Sequence, residues 1–281
     1  MLFKCAHSFC KKQTDSFSVL RIEGHLPLNP QWAIAPLEED AIAEVRKITS
    51  QPFTYLGKGA QVFVFASKDD RYVLKLIRHH HISPPSWFRA LPFERAQLRC
   101  KRLYEKGNQD FISYALAYKK LKKETGILYP HLEKTAYLNQ KITIVDKLGI
   151  KHILDLDEID FILQKKAELA GPKIKALLAE KKYEESKQLI SSLIALIVSR
   201  NKKEIFDKDP NVFTNFGVLE GEVIQIDVGR FSQNEHQKEL KNIHNDVVQI
   251  TDRLSKKLFY NDKEMELYLQ EQIEQIDATP L

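Results

Sequence analysis

A change of hydrophobic period divides the chain into two kinds of sequence. Between residues 52 and 78, short runs rich in Val, Phe and Tyr (PFTYLGKG, AQVFVFAS and YVLKLIR) are typical of adjacent β-strands. Residues 169–205 instead carry apolar side chains at helical spacing, namely Leu189, Leu193, Leu196 and Ile197. We therefore predict the α+β class, with an antiparallel sheet in one lobe and mainly helices in the other.

The remaining segments follow the same division. We predict an amphipathic helix over residues 37–48, helix over 93–124 in two pieces broken at Gly107-Asn108, strands over 127–164, a hairpin over 216–231 turned by Glu220-Gly221, and helix over 232–275. Residues 1–36 contain Pro27, Pro30 and Pro36 and no regular period, so we expect them to be loosely organised. The predicted parts are an N-terminal extension with one helix (1–50), a sheet lobe (51–166) and a helical lobe (167–281).

Composition excludes several classes of protein. The 281 residues are 43% hydrophobic and 29% charged, which is typical of a globular chain rather than a disordered or collagen-like one. The 43 Lys and Arg residues exceed the 38 Asp and Glu residues by five, and both signs are spread along the chain. A specific nucleic-acid binder would gather its basic residues on one face, so we expect no such partner.

The cysteines and the apolar runs bear on the compartment. Cys5, Cys10 and Cys100 are too few for a disulfide framework, which favours a reducing compartment. Cys5 and Cys10, with His7 nearby, suggest a metal site, but no second ligand pair at matching spacing follows, so we do not expect zinc there. The richest apolar run, Leu189–Val198, is shorter than the ~18 residues that cross a bilayer. We expect a cytoplasmic protein without a transmembrane segment.

A turn with two glycines lies between the first two predicted strands. In Leu56-Gly57-Lys58-Gly59-Ala60, small residues allow backbone N–H groups to approach a phosphate closely. A plain turn has the same pattern. A strand follows it rather than a helix, and no Gly-Lys-Ser/Thr is present, which excludes both the dinucleotide-binding fingerprint and the P-loop.

Lys75 stands inside the apolar run Tyr72–Ile77, one strand later. A lysine flanked by aliphatic side chains in a strand either reaches water along its own stem or binds an anion. Behind a glycine-containing hairpin, such an ammonium group is suited to nucleotide phosphates. Three adjacent histidines, His79 to His81, follow in a segment with several prolines, and we interpret them as a solvated loop rather than metal ligands.

Acidic and amide side chains gather in the second half of the chain. Asp207 and Asp209 precede Asn215, and Asp227 follows it by twelve residues, across the predicted hairpin. A hairpin between Asn215 and Asp227 brings both side chains to its open end. One carboxylate and one amide oxygen together are suitable ligands for Mg²⁺.

The order of these motifs resembles the protein-kinase-like superfamily, over about residues 50–260. That family has a Gly-rich loop, a strand lysine, a catalytic loop ending in Asn, and an Asp-Phe-Gly. The resemblance implies a bilobal kinase fold that uses ATP and Mg²⁺. Gly57 and Gly59 would cover the phosphates, Lys75 would bind the α- and β-phosphates, Asn215 and Asp227 would hold the metal, and Ile153–Gln164 would lead to the adenine-contacting hinge.

The detail is similar to bacterial small-molecule, sugar and lipopolysaccharide-core kinases more than to eukaryotic protein kinases, since Ala-Pro-Glu and His-Arg-Asp are missing. Val62 replaces the third glycine of the loop, and the metal motif reads Asp227-Val228-Gly229. The family's base stands five residues before the Asn, where this chain has Pro210.

The residues that would complete a kinase site remain open from sequence. Asp209 is six residues before Asn215 and Asp207 eight, so Asp209 becomes the base if the loop holds one extra residue. Glu94 is at a plausible distance to pair with Lys75, while Glu105 and Glu124 compete for that role.

Two functional hypotheses follow. The first is a phosphotransferase that moves a phosphoryl group from ATP to a hydroxyl of an unknown small molecule, glycan or protein. The second is a pseudokinase that lacks the base and binds a nucleotide or a partner. An unrelated α+β protein with chance motifs is a third reading.

Overall fold

The computed structural model describes residue 9 and residues 11–84, 88 and 90–278. Cys5, Cys10 and His7 fall outside the described residues. The chain forms two compact units. The first contains the residues up to Ala115 together with Ile127–Lys166, and the second contains Leu116–Gly126 together with the residues from Ala167 onward. Each unit has its own hydrophobic core.

The first unit is built on a seven-stranded sheet. Its strands are β1 (Phe53–Lys58), β2 (Val62–Ser67), β3 (Tyr72–Ile77), β4 (Ile127–His131), β5 (Lys141–Val145), β6 (Lys151–Asp155) and β7 (Phe161–Lys165). The order across the sheet is β4-β7-β3-β2-β1-β5-β6, and all neighbours are antiparallel except β1 and β5. The period-2 pattern of β2 explains its burial, since Phe63 and Phe65 are fully buried on one face.

The N-terminal segment (residues 17–37) packs against this sheet with helix α1 (Glu39–Thr49). The Phe17 ring lies edge-on to the Phe63 ring with centroids 5.2 Å apart, and Ile22 is fully buried. The segment is therefore not loosely organised as expected. Its buried side chains follow no helical or strand period, because irregular backbone carries them, and periodicity could not reveal them.

Helix α2 (Glu94–Lys120) is continuous, so the predicted break at Gly107-Asn108 is wrong. A Cβ atom on Gly107 would lie 2.8 Å from Cβ of Ile82, so the glycine permits close packing within the helix rather than ending it. Asn108 Oδ1 accepts hydrogen bonds from Trp32 Nε1 at 2.9 Å and from Asn29 Nδ2 at 2.8 Å. Both residues thus hold the N-terminal segment against α2.

The second unit is mainly helical. Its helices are α3 (Lys122–Thr125), α4 (Ala170–Ala179), α5 (Tyr183–Lys202), α6 (Leu240–Leu254) and α7 (Lys263–Ala278), with a π-helical turn at Ser255–Phe259. Short strands complete it: β8 (Glu168–Leu169), β9 (Ile205–Asp207), β10 (Phe216–Leu219), β11 (Glu222–Gln225) and β12 (Phe231–Gln233). The predicted α+β class, a largely antiparallel sheet followed by a mainly helical part, is confirmed.

The apolar stripe predicted on α5 forms the centre of the second core. Leu193 and Ile197 are fully buried there, together with Val247 and Ile250 of α6. None of the helices in the described part of the chain combines the length and the apolar character that crossing a bilayer requires.

Candidate functional site

The turn between β1 and β2 is held by hydrogen bonds within the first unit. Gly59 N–H donates to the Val62 carbonyl at 2.9 Å, and Arg78 Nη1 donates to the Gly59 carbonyl at 2.7 Å. The Arg78 guanidinium lies 5.0 Å from the centre of the Phe63 ring. The sequence analysis did not single out Arg78. Pairing of β2 with β3 places the residue directly after β3 next to the turn before β2, and this pairing could have indicated it.

The fold itself does not require glycine at Gly57 or Gly59. A Cβ atom on Gly57 would meet nothing within 4 Å, and one on Gly59 would make an ordinary contact of 3.7 Å with the Val62 side chain. Packing therefore does not explain the glycines, while the N–H and the carbonyl of Gly59 are both hydrogen-bonded within the unit.

Lys75 is half-buried in the middle of β3, opposite Val64 of β2 and Ile162 of β7. Side chains alternate along a strand, so Lys75 lies on the face opposite to its neighbours Leu74 and Leu76, which belong to the core. The ammonium group is thus placed on the second face of the sheet, away from that core.

The acidic residues considered as partners of Lys75 have different environments. Glu94 is exposed at the first residue of α2, and Glu105 is exposed with Lys101 Nζ 4.0 Å away. Glu124 belongs to the second unit, where it contacts Lys203 and accepts a hydrogen bond from Ser199 at 3.0 Å. Asp110 is the carboxylate that α2 buries, and its Oδ1 accepts a hydrogen bond from Gln61 Nε2 at 2.9 Å. The candidates that the sequence suggested as partners of Lys75 were all glutamates, so Asp110 was not among them.

The hairpin of β10 and β11 brings Asn215 and Asp227 together in the second unit. Glu220 and Gly221 form its turn with φ values of +53° and +85°, which is why a glycine suits the second position. At the open end, the Asn215 carbonyl accepts hydrogen bonds from Ile226 N–H at 2.8 Å and from Asp227 N–H at 3.2 Å.

Asp209 is held beside Asn215 by the loop between them. Asn215 Nδ2 donates to the Asp209 carbonyl at 2.5 Å, and Asn215 N–H donates to the Asn211 carbonyl at 2.8 Å, which closes a tight turn. Arg253 Nη1 donates to the Pro210 carbonyl at 3.1 Å. The Asp209 side chain is exposed, and its role as the base stays a prediction.

Asp207 is buried in an ionic network instead. Its Oδ1 accepts the Asp209 N–H at 3.0 Å, and its Oδ2 contacts Gln225 Nε2 and lies 3.5 Å from Arg200 Nη1. Arg200 also donates to Gln225 Oε1 at 2.7 Å and to Asp246 Oδ2 at 2.5 Å. Burial raises the pKa of Asp207, and the charge of Arg200 opposes that rise. The sequence did not indicate this network.

The donor set at the hairpin fits a magnesium ion. Asn215 Nδ2 donates to the Asp209 carbonyl, which fixes the direction of the amide, and Asn215 Oδ1 accepts the Thr214 hydroxyl at 2.7 Å, so a metal would use the second lone pair of that oxygen. Asp227 is exposed, and its Oδ1 accepts Gly229 N–H at 3.2 Å. Among the described residues, no cluster of three His, Cys, Asp or Glu suits a metal. One carboxylate and one amide oxygen match the coordination preference of Mg²⁺, which takes few protein ligands and completes its shell with water and phosphate.

The structure corrects part of one other expectation. His79 is buried, with Nε2 2.8 Å from Asp160 Oδ2, whereas His80 is exposed and His81 is partly buried, so only His79 departs from the predicted solvated loop. The three residues form a short 3₁₀ helix, and partial desolvation together with the neighbouring charges of His81 and Arg21 lowers the pKa of His80 to about 4. The segment Ile153–Gln164 runs from β6 into β7, the strand after which the chain leaves the first unit, and its role toward adenine stays a prediction.

No protein-family model matches the chain, and no curated protein sequence matches it. Among solved structures, it is similar to WbdD in complex with the kinase inhibitor LY294002, at 12% identity and a TM-score of 0.40 over 80% of this chain and 45% of that one. Another WbdD structure, described as a bifunctional kinase-methyltransferase, gives 10% identity and 0.39 over 81% and 47%.

The Rv3197–erythromycin complex from Mycobacterium tuberculosis gives 12% identity and a TM-score of 0.33, over 79% of this chain and 60% of that one. The matched part of this chain covers less than half the length of the two WbdD chains described above. A bifunctional kinase-methyltransferase is thus among the structures to which the chain is similar.

Proposed function

We propose that the protein is an ATP- and Mg²⁺-dependent phosphotransferase acting on a hydroxyl group of a small molecule, glycan or protein in the cytoplasm. The observation that carries the proposal is the arrangement of three side-chain positions in the second unit. The side-chain amide of Asn215 donates to the Asp209 main-chain carbonyl, and the main-chain carbonyl of Asn215 accepts the Asp227 N–H. Asn215 thereby holds the proposed base, Asp209, and the proposed carboxylate ligand, Asp227, next to its own amide.

Each group has a separate role in the proposed transfer. Asn215 Oδ1 and Asp227 would hold the magnesium ion, which would neutralise charge on the phosphates. Lys75 and the Gly57–Gly59 turn bind phosphate oxygens. Asp209 accepts the proton of the acceptor hydroxyl as its oxygen bonds to the γ-phosphorus and the bond to ADP breaks.

Asp209 rather than Asp207 suits the role of base. Asp209 is exposed and its carbonyl is fixed by Asn215, whereas Asp207 is 2% exposed and bonded to Gln225. A general base must reach a substrate proton, which a carboxylate enclosed by protein donors cannot do. We infer that Asp207 is a positioning residue that holds the Asp209 N–H.

The pseudokinase alternative keeps one specific observation in its favour. Glu94, the residue that the resemblance paired with Lys75, is exposed at the start of α2. In this alternative, the chain binds a nucleotide or a partner without turnover.

Thermal unfolding with ATP, with and without Mg²⁺, tests the nucleotide site first. We expect ATP to raise the melting temperature more when Mg²⁺ is present, and expect Asp227→Asn and Lys75→Met to remove that effect while the fold remains. Asp252→Asn, an exposed carboxylate on α6, is the matched control. Absence of any shift by Mg²⁺-ATP in the wild type would contradict the proposal and also a pseudokinase that binds nucleotide.

Turnover separates the two hypotheses. We expect ADP release in the presence of an acceptor, and a loss of roughly 100- to 10,000-fold in Asp209→Asn with ATP binding retained. Binding without turnover by the wild type, over a broad set of hydroxyl acceptors, would favour the pseudokinase.

A further inference from the structure

Strand β6 lies at the edge of the sheet in the first unit. In the described part of the chain it pairs with β5 alone. Its outer face carries Lys151, Ile153 and Asp155, all exposed, and the Ile153 side chain is 71% exposed. An apolar side chain this exposed in the middle of an edge strand is a feature that soluble proteins usually avoid, because the edge can pair with another chain.

The hydrogen bonds at the two ends of the β5–β6 ladder show which backbone groups face outward. Asp146 N–H donates to the Ile150 carbonyl at 2.9 Å, and Leu156 N–H donates to the Gln140 carbonyl at 3.0 Å. In an antiparallel ladder, hydrogen-bonded and non-hydrogen-bonded pairs alternate. Residues 150, 152, 154 and 156 of this strand therefore bond to β5.

It follows that Lys151, Ile153 and Asp155 occupy non-hydrogen-bonded pairs, opposite Val145, Thr143 and Lys141. Their N–H and C=O groups point away from β5, toward the open edge. Three consecutive outward-facing residues provide the donors and acceptors for one further antiparallel strand.

The sequence of β6 is complementary to itself. If a second copy of the strand pairs in antiparallel register about Ile153, Lys151 of one copy lies opposite Asp155 of the other, and the two Ile153 side chains meet. Opposite charges and paired aliphatic side chains directly across two strands are stabilising. A parallel arrangement in register would instead set ammonium against ammonium and carboxylate against carboxylate.

We propose that the protein forms a symmetric homodimer in which the β6 strands of two copies pair antiparallel about Ile153. The sheets of the two chains join into one continuous sheet, with two Lys151–Asp155 pairs flanking the central isoleucines. A lysine on an edge strand commonly prevents such pairing. Here the carboxylate four residues later neutralises it in the dimer, and this register is the one that does so.

Light scattering coupled to size exclusion, over a concentration series of the full chain, tests the proposal. We expect a molar mass that rises toward twice the monomer value. Lys151→Asp places carboxylates at both flanking positions, and Asp155→Lys places ammonium groups at both, so each variant alone should be monomeric. Mixed in equal amounts, the two variants should restore a dimer, because each supplies the charge that the other lacks.

Two further variants distinguish the β6 interface from another dimer surface. Ile153→Pro removes an N–H that points away from β5, so the monomer should retain its fold and lose the dimer. Lys68→Asp, in the exposed turn after β2, is the matched charge control and should leave the dimer intact. Asp155 also accepts the Asp157 N–H at 3.1 Å, so thermal melts must show that its variant is folded.

A wild-type chain that stays monomeric at every concentration overturns the proposal. A dimer that persists in Ile153→Pro, or a mixture of the two charge variants that remains monomeric while both are folded, also overturns it. None of these outcomes depends on nucleotide binding or turnover.

Discussion

Among the residues described above, Arg200 is the one whose removal we expect to lower the free energy of unfolding most. It is 1% exposed and joins Asp207, Gln225 and Asp246, which come from three other elements of the second unit. Removing one partner of a buried ionic network leaves the others charged and without compensation. The position of the Asp207–Asp209 loop therefore depends on a side chain that touches no proposed ligand.

We predict that Arg200→Met lowers the free energy of unfolding by about 3–5 kcal/mol, because Asp246 and Asp207 would lose their counter-charge in the interior. Denaturant unfolding followed by far-UV circular dichroism measures the change. Arg253→Met, which removes a hydrogen bond to the Pro210 carbonyl at a less buried position, is the control and should cost less. Equal costs for the two variants would show that the network is not stabilising.

A second prediction for a single residue concerns Gly107. Gly107→Ala gains about 1 kcal/mol of helix propensity, but its Cβ would lie 2.8 Å from the Ile82 Cβ, an atom next to the backbone that cannot retreat. Overpacking costs about 1–3 kcal/mol, so the melting temperature should fall. Gly57→Ala meets nothing within 4 Å and should leave it unchanged. A more stable Gly107→Ala variant would contradict the packing argument.

At the scale of elements, the N-terminal segment is attached to the sheet by a charged pair. His25 Nδ1 lies 2.9 Å from Asp160 Oδ1, and Nε2 lies 3.0 Å from the Glu158 carbonyl. Both partners are acceptors, so both ring nitrogens carry hydrogens and the ring is an imidazolium. Burial lowers the pKa of His25, but the hydrogen bond and charge of Asp160 outweigh it and raise the pKa overall.

This arrangement predicts a pH dependence. Because the pKa of His25 is higher in the folded chain than in the unfolded chain, its contribution is complete below the ordinary value of about 6.5 and is lost as the pH rises through the raised pKa. The melting temperature, read by tryptophan fluorescence, should fall over that range. The charged and titratable side chains around His25 are Asp160, His79, His131 and Lys134.

His25→Gln should flatten the decline, since glutamine does not titrate. His236→Gln is the control, because His236 also contacts a carboxylate, Glu239, but is largely exposed. A wild-type profile that rises between pH 6.5 and 8, or one that His25→Gln leaves unaltered, would contradict the assignment of the charge to His25.

At the scale of the whole molecule, two units with separate cores should not unfold in one step. Trp32 lies in the first unit, and the sequence of the second unit contains no tryptophan. Tryptophan fluorescence therefore follows the first unit, while the circular dichroism of helices is dominated by the second. We predict that the two urea transitions do not coincide. Superimposable curves would mean that the units unfold together.

Periodicity and turn chemistry predicted the local elements but not the long-range contacts. The strands around Phe63 and Lys75 and the turn at Glu220-Gly221 follow from side-chain alternation and from residues that accept positive φ. These features depend on neighbours along the chain, which a single sequence displays.

The parts that could not be predicted depend on residues far apart in sequence. Arg200 and Asp246 lie on different helices, 46 residues apart, and neither looks unusual on its own. Gly107-Asn108 has the composition of a helix break, yet its small and polar side chains serve packing and hydrogen bonding inside α2. The position of Asp209 beside Asn215 required the closed turn at Asn211, which spacing alone left open.

The short parallel pairing of β1 with β5 bears on the order in which the sheet forms and opens. The hairpin of β5 and β6 meets the rest of the sheet over two residues of each strand, Phe53 with Ile144 and Thr54 with Val145. These strands are separated by the whole of α2, so their pairing closes a long loop and should form late in folding. The same short seam should open first in the native protein, and amide hydrogens of this hairpin should exchange with solvent sooner than those of β2 and β3.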